Sequence, residues 1–233
     1  HMDAQSENLS KKIIQRIYDF IFAKSILNNA EKVIVVDRDY FLASRYGKYI
    51  IKDKIAEIPN GVDTEIFQPY QIETLNFASL IKDNKIILFV GNPMPVKRLD
   101  LLLQAFNLLI DKSVVLVVVG SGYEIERYKK MVRELKLENR VEFVGACDDK
   151  KKLALYYNLA WCTIVPSASE SFSLVTLESL ACSCPVVASN IPGIKGRLDD
   201  GVDGWLVSGK KPQEWAEVLN KVLSLSVEKR KNL

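Results

Sequence analysis

Residues 161–188 read WCTIVPSASESFSLVTLESLACSCPVVA. Trp161 to Val165 is an apolar run of strand length that stops at Pro166, and Leu174 to Ala181 carries a helical pattern. After Cys182-Ser183-Cys184-Pro185, a second apolar run follows at Val186 to Ala188. Two runs that are apolar on both faces, with a helix between them, are what a parallel sheet covered on both sides requires. Small hydroxyl residues and a carboxylate, Ser167-Ala168-Ser169-Glu170-Ser171, fill the strand-to-helix loop.

The same alternation extends outward in both directions. Strands are expected at Ile86 to Val90, Val114 to Val119 and Val141 to Val144, and helices at Asp100 to Ile110, Tyr123 to Leu135, Lys151 to Tyr157 and Gln213 to Leu225. The pattern predicts one α/β domain, a doubly wound parallel sheet over residues 85–226. Before it, residues 59–84 read as linker and domain entry, opening on the turn residues Pro59-Asn60-Gly61. Residues 3–58 hold an amphipathic helix from Leu9 to Leu27, strands at Lys32 to Val36 and Ile55 to Ile58, and a helix from Asp39 to Tyr46 ended by Gly47. That is too little for an independent core of the same type, and reads as the tail of another domain.

Composition narrows the chemistry. Of 233 residues 48% are hydrophobic and 26% charged, so the chain is globular rather than disordered or coiled-coil. No apolar run approaches the about 18 residues of a membrane-spanning helix. With 32 basic against 29 acidic residues the net charge is +3, and no global field points to nucleic acid. The only histidine, His1, belongs to a His1-Met2 opening that resembles a tag-cleavage scar. No histidine base is then on offer. Cys147, Cys162, Cys182 and Cys184 lack paired C-x-x-C spacing, so they read as reduced core thiols and no metal site is expected.

In doubly wound sheets the ligand crevice lies beyond the carboxyl ends of the strands. Several strands end there in glycine: Gly91, Gly120 and Gly145. After Gly91 the loop Asn92-Pro93-Met94-Pro95-Val96-Lys97-Arg98 places two cations where a helix begins. This opposes the helix dipole unless an anion binds. Gly120-Ser121-Gly122 lacks the rest of a dinucleotide fingerprint, and no G-x-x-x-x-G-K-S/T loop occurs. In residues 166–181 the N–H groups of Phe172, Ser173 and Leu174 are expected to face the crevice at a helix start, suiting a phosphate or sugar hydroxyl. Glu170 and Glu178 stand ready to accept polyol hydroxyls, including a ribose diol.

Glu170, seven residues, then Glu178, followed by Ser179 to Ser189, resembles the donor-site signature of retaining glycosyltransferases of the GT-B fold, glycosyltransferase family 4 (group 1). Supporting pieces fall in the family's order: Pro59 to Asp63 with Phe67, Val90-Gly91 through Lys97, Gly120 to Gly122, Val141 to Gly145, and Asp200 to Gly204. The resemblance implies a Rossmann-like sheet, the C-terminal donor-binding half of a GT-B fold, with a partial remnant of the N-terminal acceptor domain. It implies a hexosyltransferase, mannosyl or glucosyl, that needs no cofactor or metal and uses a nucleoside diphosphate sugar, UDP- or GDP-hexose. By resemblance Glu170 contacts the donor sugar and Lys97 the diphosphate, as the catalytic pair. Glu178 holds the ribose, the backbone of Ser171 to Leu174 lies near sugar and phosphate, and Gly145-Ala146 lies beside the base.

Departures from the family pattern are Asn92 where arginine is usual after Gly91, and Arg98 where glycine is common, with Arg98 a candidate substitute cation. Ser171, Ser173 and Ser183 stand at frequent glycines, and Gly196 at a frequent glutamate. The opening strands of an acceptor domain are absent, so the expectation is a truncated chain, or a complete donor domain with an appended piece of its neighbour, that binds donor but does not transfer sugar alone. Faces made for the absent domain imply self-association. The acceptor, a glycan or lipid-linked molecule, is open. The location implied is cytoplasmic, the full-length protein being either free or peripheral at a membrane. Two other readings stay in play: a non-catalytic nucleotide- or glycan-binding module, favoured by Asn92, and a dinucleotide oxidoreductase, disfavoured by the missing fingerprint.

Overall fold

The computed structural model describes residues 9–70 and 84–231. The expected linker at 59–84 lies in part outside them, as do residues 3–8. The chain divides into two compact units, His1–Asn60 and Gly61–Leu233.

In the first unit, helix α1 (Leu9–Tyr18) passes through a π-helical turn (Asp19–Ala23) into α2 (Lys24–Asn29). The expected amphipathic helix is therefore one path with a π turn inside it. Strands β1 (Val33–Val35) and β2 (Ile55–Glu57) pair in parallel, Val33 opposite Ile55. Helix α3 (Arg38–Ala43) lies between them in sequence and is capped by the Asp37 carboxylate, which accepts from Tyr40 N–H. This helix stops three residues before the expected Tyr46. Ser44 leaves helical geometry, and a Cβ at Gly47 would meet Leu42 O at 2.3 Å, so the chain turns close against the helix it has left. The core is small: Val35, Ile50 and Ile55, with Leu27, Val33, Phe41 and Leu42 against them.

The second unit is built on six parallel strands: β3 (Ile86–Val90), β4 (Val115–Val119), β5 (Val141–Gly145), β6 (Cys162–Val165), β7 (Val186–Ser189) and β8 (Gly204–Val207). Their spatial order is β5-β4-β3-β6-β7-β8. Helices α4 (Leu99–Asn107), α5 (Ile125–Glu134), α6 (Lys150–Leu159), α7 (Leu174–Ala181) and α8 (Pro212–Leu223) follow β3, β4, β5, β6 and β8, and a short α9 (Val227–Lys231) ends the described chain. Alternate strand residues go to opposite faces. Ile87, Phe89, Leu116 and Val118 pack with Leu102, Phe106 and Trp215 on one face. Ile86, Leu88, Val115 and Val117 pack with Ala154, Tyr157 and Cys184 on the other. Helical cover on both faces is why the strands are apolar throughout. Each fully buried Leu or Ile is worth about 1.5–3 kcal/mol.

Strand β8 has no counterpart among the expected strands, its first residue, Gly204, closing the Asp200 to Gly204 piece of the family resemblance. It pairs with β7, Ser189 opposite Val207, and a Cβ on Gly204 would meet Val186 O at 2.2 Å, so glycine is what lets this strand approach. No helix among the described residues is long and apolar enough to cross a membrane.

The chain lays down β3 at the centre, proceeds outward to β4 and β5, then returns so that β6 pairs with the other side of β3, Ile87 opposite Cys162. Connections therefore leave β3 and β6 in opposite directions, opening a crevice at their carboxyl ends. The loops at that point are residues 91–98 and 166–173.

Candidate functional site

The two crevice loops are tied to each other by backbone and by charge. Ala168 N–H donates to Val96 O at 2.8 Å. Lys97 Nζ lies 2.6 Å from Glu170 Oε1, and Ser167 Oγ donates to the same oxygen at 2.7 Å. Ser167 is buried, and the side chains of Glu170 and Lys97 are 11% and 27% exposed. The pair is sheltered enough to be strong and open enough to exchange partners with an entering ligand.

Lys97 reaches this position because Pro95–Lys97 forms a single 3-10 turn that ends with Arg98 in the left-handed region, φ 53° and ψ 39°. The left-handed backbone explains why glycine suits position 98. Arg98 adopts it at a cost of about 1–2 kcal/mol, and its guanidinium turns to Asp100, with Nε 3.5 Å from Oδ1. Asn92, the donor-site candidate that stands where arginine is usual, is exposed, and its carbonyl accepts from Met94 N–H at 2.7 Å.

Neighbouring loops support the crevice from below. Gly91 N–H donates to Val119 O, and Gly120 N–H to Gly145 O. Gly120 has φ +146°, and a Cβ there would lie 2.1 Å from Gly91 O. Gly145 and the exposed Ala146 thus sit on a loop bonded to the one beside the crevice. On the other side, Gly193 has φ +86°, and a Cβ on it would meet Glu170 O at 2.1 Å.

Helix α7 starts beside Glu170. Ser173 caps it, its Oγ accepting from Thr176 N–H at 3.3 Å and from Thr176 Oγ1 at 2.8 Å. The sequence suggests three free donors at this end, and one is taken: Ser173 N–H donates to Gly193 O at 3.2 Å. Nothing among the described residues accepts from the N–H groups of Phe172 and Leu174. The Phe172 ring is buried with the Arg197 guanidinium 3.9 Å from its centroid. Ser171 is exposed.

Glu178 lies on α7 and is half-buried. Its Oε2 accepts from the Tyr157 hydroxyl of α6 at 2.8 Å. Burial raises its pKa above the usual glutamate value, partly offset by the tyrosine hydrogen bond and by Lys150. Burial, then the adjacent Glu178, hold the Tyr157 phenol well above its own usual value, so it remains a donor. Tyr157 is fully buried and meets Phe67 edge-on, ring centroids 6.0 Å apart. Tyr157, Ser167 and Arg197 are site neighbours that the sequence reading did not single out. Ser167, three residues before Glu170, could have been suspected from spacing. Tyr157 and Arg197 come from other elements and left no local signal.

All four cysteines are free. Cys162, Cys182 and Cys184 are buried, and burial pushes the Cys182 thiol up to about 12. They are packing groups with little thiolate character.

The crevice thus offers a cation paired with a carboxylate and, among the described residues, two N–H groups without an acceptor at the start of helix α7, which carries a second carboxylate, Glu178, further along. Comparison with known proteins identifies the family. The family model of glycosyl transferases group 1 matches residues 71–233. The D-inositol 3-phosphate glycosyltransferase of Frankia alni is 35% identical over 183 residues, covering 73% of this chain and 45% of that protein. The enzyme of the same name from Mycolicibacterium smegmatis is 35% identical over 176 residues, covering 74% and 40%. The chain spans less than half the length of these relatives. Among solved structures, sucrose-phosphate synthase from Thermosynechococcus elongatus superposes with a TM-score of 0.76 at 27% identity, covering 96% of this chain and 55% of that one. Anabaena HepE in complex with UDP and glucose has a TM-score of 0.74 at 22% identity, covering 87% and 56%, a likeness of fold alone. Over most of its length, then, this chain is a member of the group 1 glycosyl transferases.

Proposed function

We propose that residues 85–226 are the donor-binding domain of a retaining hexosyltransferase, that residues 3–58 are the end of its acceptor domain, and that 59–84 join them. The donor is a nucleoside diphosphate hexose. One observation carries this reading: Lys97 and Glu170, from the loops after β3 and β6, meet at 2.6 Å over the point where the sheet changes direction. There a ligand can exchange the ion pair for two contacts of its own.

In this reading the ribose hydroxyls donate to Glu178, whose Oε1 remains for them while Oε2 accepts from Tyr157. The diphosphate lies against the free N–H groups of Phe172 and Leu174 and takes Lys97 as its cation. These fixed donors stabilise the leaving diphosphate as the sugar bond breaks. Glu170, released from Lys97, accepts from sugar hydroxyls. Gly145-Ala146 border the base. Arg98 stands in for the cation missing at Asn92 by swinging from Asp100. Transfer requires the acceptor side of a whole enzyme, the acceptor being a glycan or a lipid-linked molecule.

HepE, a structural neighbour, is known in complex with UDP and glucose, which favours testing UDP first. Calorimetric titration of the chain with UDP, GDP and ADP, beside Lys97→Ala and Glu178→Ala, tests the reading. Binding of one nucleoside diphosphate, weakened about tenfold or more by each change, is the expected result. Binding that is indifferent to both changes would refute it.

A further inference from the structure

The Tyr157 hydroxyl is the one polar atom of a side chain that is otherwise core. The ring is fully buried among Ile86, Leu88, Val117 and Cys184 on one face of the sheet, with Phe67 edge-on at 6.0 Å. A phenylalanine would serve the packing. Burying a hydroxyl costs free energy unless a hydrogen bond offsets it. Here that bond goes to a single acceptor, Glu178 Oε2, at 2.8 Å.

Glu178 itself belongs to another element, α7, and its carboxylate sits at a half-buried place where desolvation disfavours the charge. A glutamate side chain has three rotatable bonds, and rotamer freedom left unspent must be lost when a ligand binds. A fixed donor on one carboxylate oxygen removes that freedom in advance. It fixes the plane of the carboxylate, so the other oxygen meets an incoming diol already oriented.

We infer that Tyr157 is a positioning residue for nucleotide recognition: its hydroxyl holds Glu178 in the orientation that accepts the ribose hydroxyls, and Phe67 in turn holds the Tyr157 ring. The inference rests on the reading of Glu178 as the ribose contact and deepens it. Tyr157 touches no ligand in this account. Its effect passes wholly through Glu178.

That dependence gives the test. The probes are UDP and 2′-deoxy-UDP, with GDP and 2′-deoxy-GDP in parallel, titrated into the full chain and into Tyr157→Phe, Glu178→Ala and the double variant, with thermal unfolding of each. Glu178→Ala should weaken the ribonucleotide more than its deoxy analogue. Tyr157→Phe should do the same to a smaller degree, about three- to tenfold on the ribonucleotide, the scale of one hydrogen bond to a charged group. The double variant should lose no more ribonucleotide preference than Glu178→Ala alone. Should Tyr157→Phe fail to fold, Tyr157→Met removes the hydroxyl with an apolar side chain of similar reach and takes its place.

A Tyr157→Phe loss that falls equally on ribo and deoxy ligands, or no loss, while Glu178→Ala still weakens the ribonucleotide selectively, would assign Tyr157 to packing and overturn the inference with the donor-site reading intact. A Glu178→Ala change that weakens ribo and deoxy ligands equally, or absence of binding by the unaltered chain, would overturn the donor-site reading and this inference with it.

Discussion

Glu170 and Glu178 stand eight positions apart in one loop and helix, yet the fold treats them as different reagents. Glu170 shares one oxygen between a lysine and a serine at the mouth of the crevice, 2.6 and 2.7 Å away. Glu178 is held by a neutral phenol in a setting that raises its pKa. The first is a charge compensated by a charge, which a ligand can enter by exchange. The second is an acceptor aimed in advance. The difference shows that residue type and spacing name candidates, whereas the partner supplied by another element decides what each can do.

The comparison can be broken on the Glu170 side. Gly193→Ala would place a Cβ 2.1 Å from Glu170 O at a backbone with φ +86°. It should cost about 2–4 kcal/mol in urea unfolding and displace Glu170 while leaving Tyr157 on Glu178. A cost near zero would mean that the Glu170 loop is not held from below.

Lys97→Met comes next. It leaves a carboxylate that is 11% exposed with, among the described residues, only Ser167 as partner. A loss of about 1–2 kcal/mol is expected, part of it recovered in Lys97→Met/Glu170→Gln because the stranded charge is then gone. Additive losses in the double variant would deny the coupling.

A smaller effect sharpens the Glu178 side. Its folded pKa is raised, so the folded state binds the proton more tightly than the unfolded chain does. The resulting stabilisation is complete below the ordinary glutamate pKa and is lost as pH rises through the folded value. At neutral pH the ionised carboxylate therefore works against the fold. Glu178→Gln should melt on the order of 1 °C higher at pH 7, with no gain at acid pH where both states carry the proton. A gain that is the same at both pH values would contradict the electrostatic account.

A further change concerns backbone. Arg98 and Ser183 both have left-handed φ, 53° and 54°, at positions where the sequence departs from glycine. Arg98→Gly and Ser183→Gly should each stabilise by about 0.5–1 kcal/mol, the relief of strain less the added entropy of glycine. Equilibrium unfolding of the two variants reads this directly.

Much of the fold was legible because β3 to β7 are apolar on both faces and separated by helical patterns, which is a local signal. Strand order was not, since pairing Ile87 with Cys162 is a choice between distant segments. Strand β8 escaped because its four residues begin at a glycine that belongs equally to the preceding turn. The π turn at Asp19–Ala23 adds a single residue to the helical repeat, a change that so short an apolar pattern does not isolate. In the site, both glutamates and Lys97 were marked by motif. The bond from Tyr157 was not, since it joins residues 21 positions apart through the packing of α6 on α7. Nor was the loss of Ser173 N–H to Gly193 O, which depends on where a later loop returns.

The proposed function puts a nucleoside diphosphate in the crevice between the ends of β3 and β6. A crystal structure of the chain grown with UDP or GDP tests it most directly. The account predicts ribose hydroxyls on Glu178, diphosphate oxygens on Lys97 and on the N–H groups of Phe172 and Leu174, and the bond from Tyr157 to Glu178 unchanged. A nucleotide bound elsewhere, with Lys97 still closed on Glu170, would contradict it.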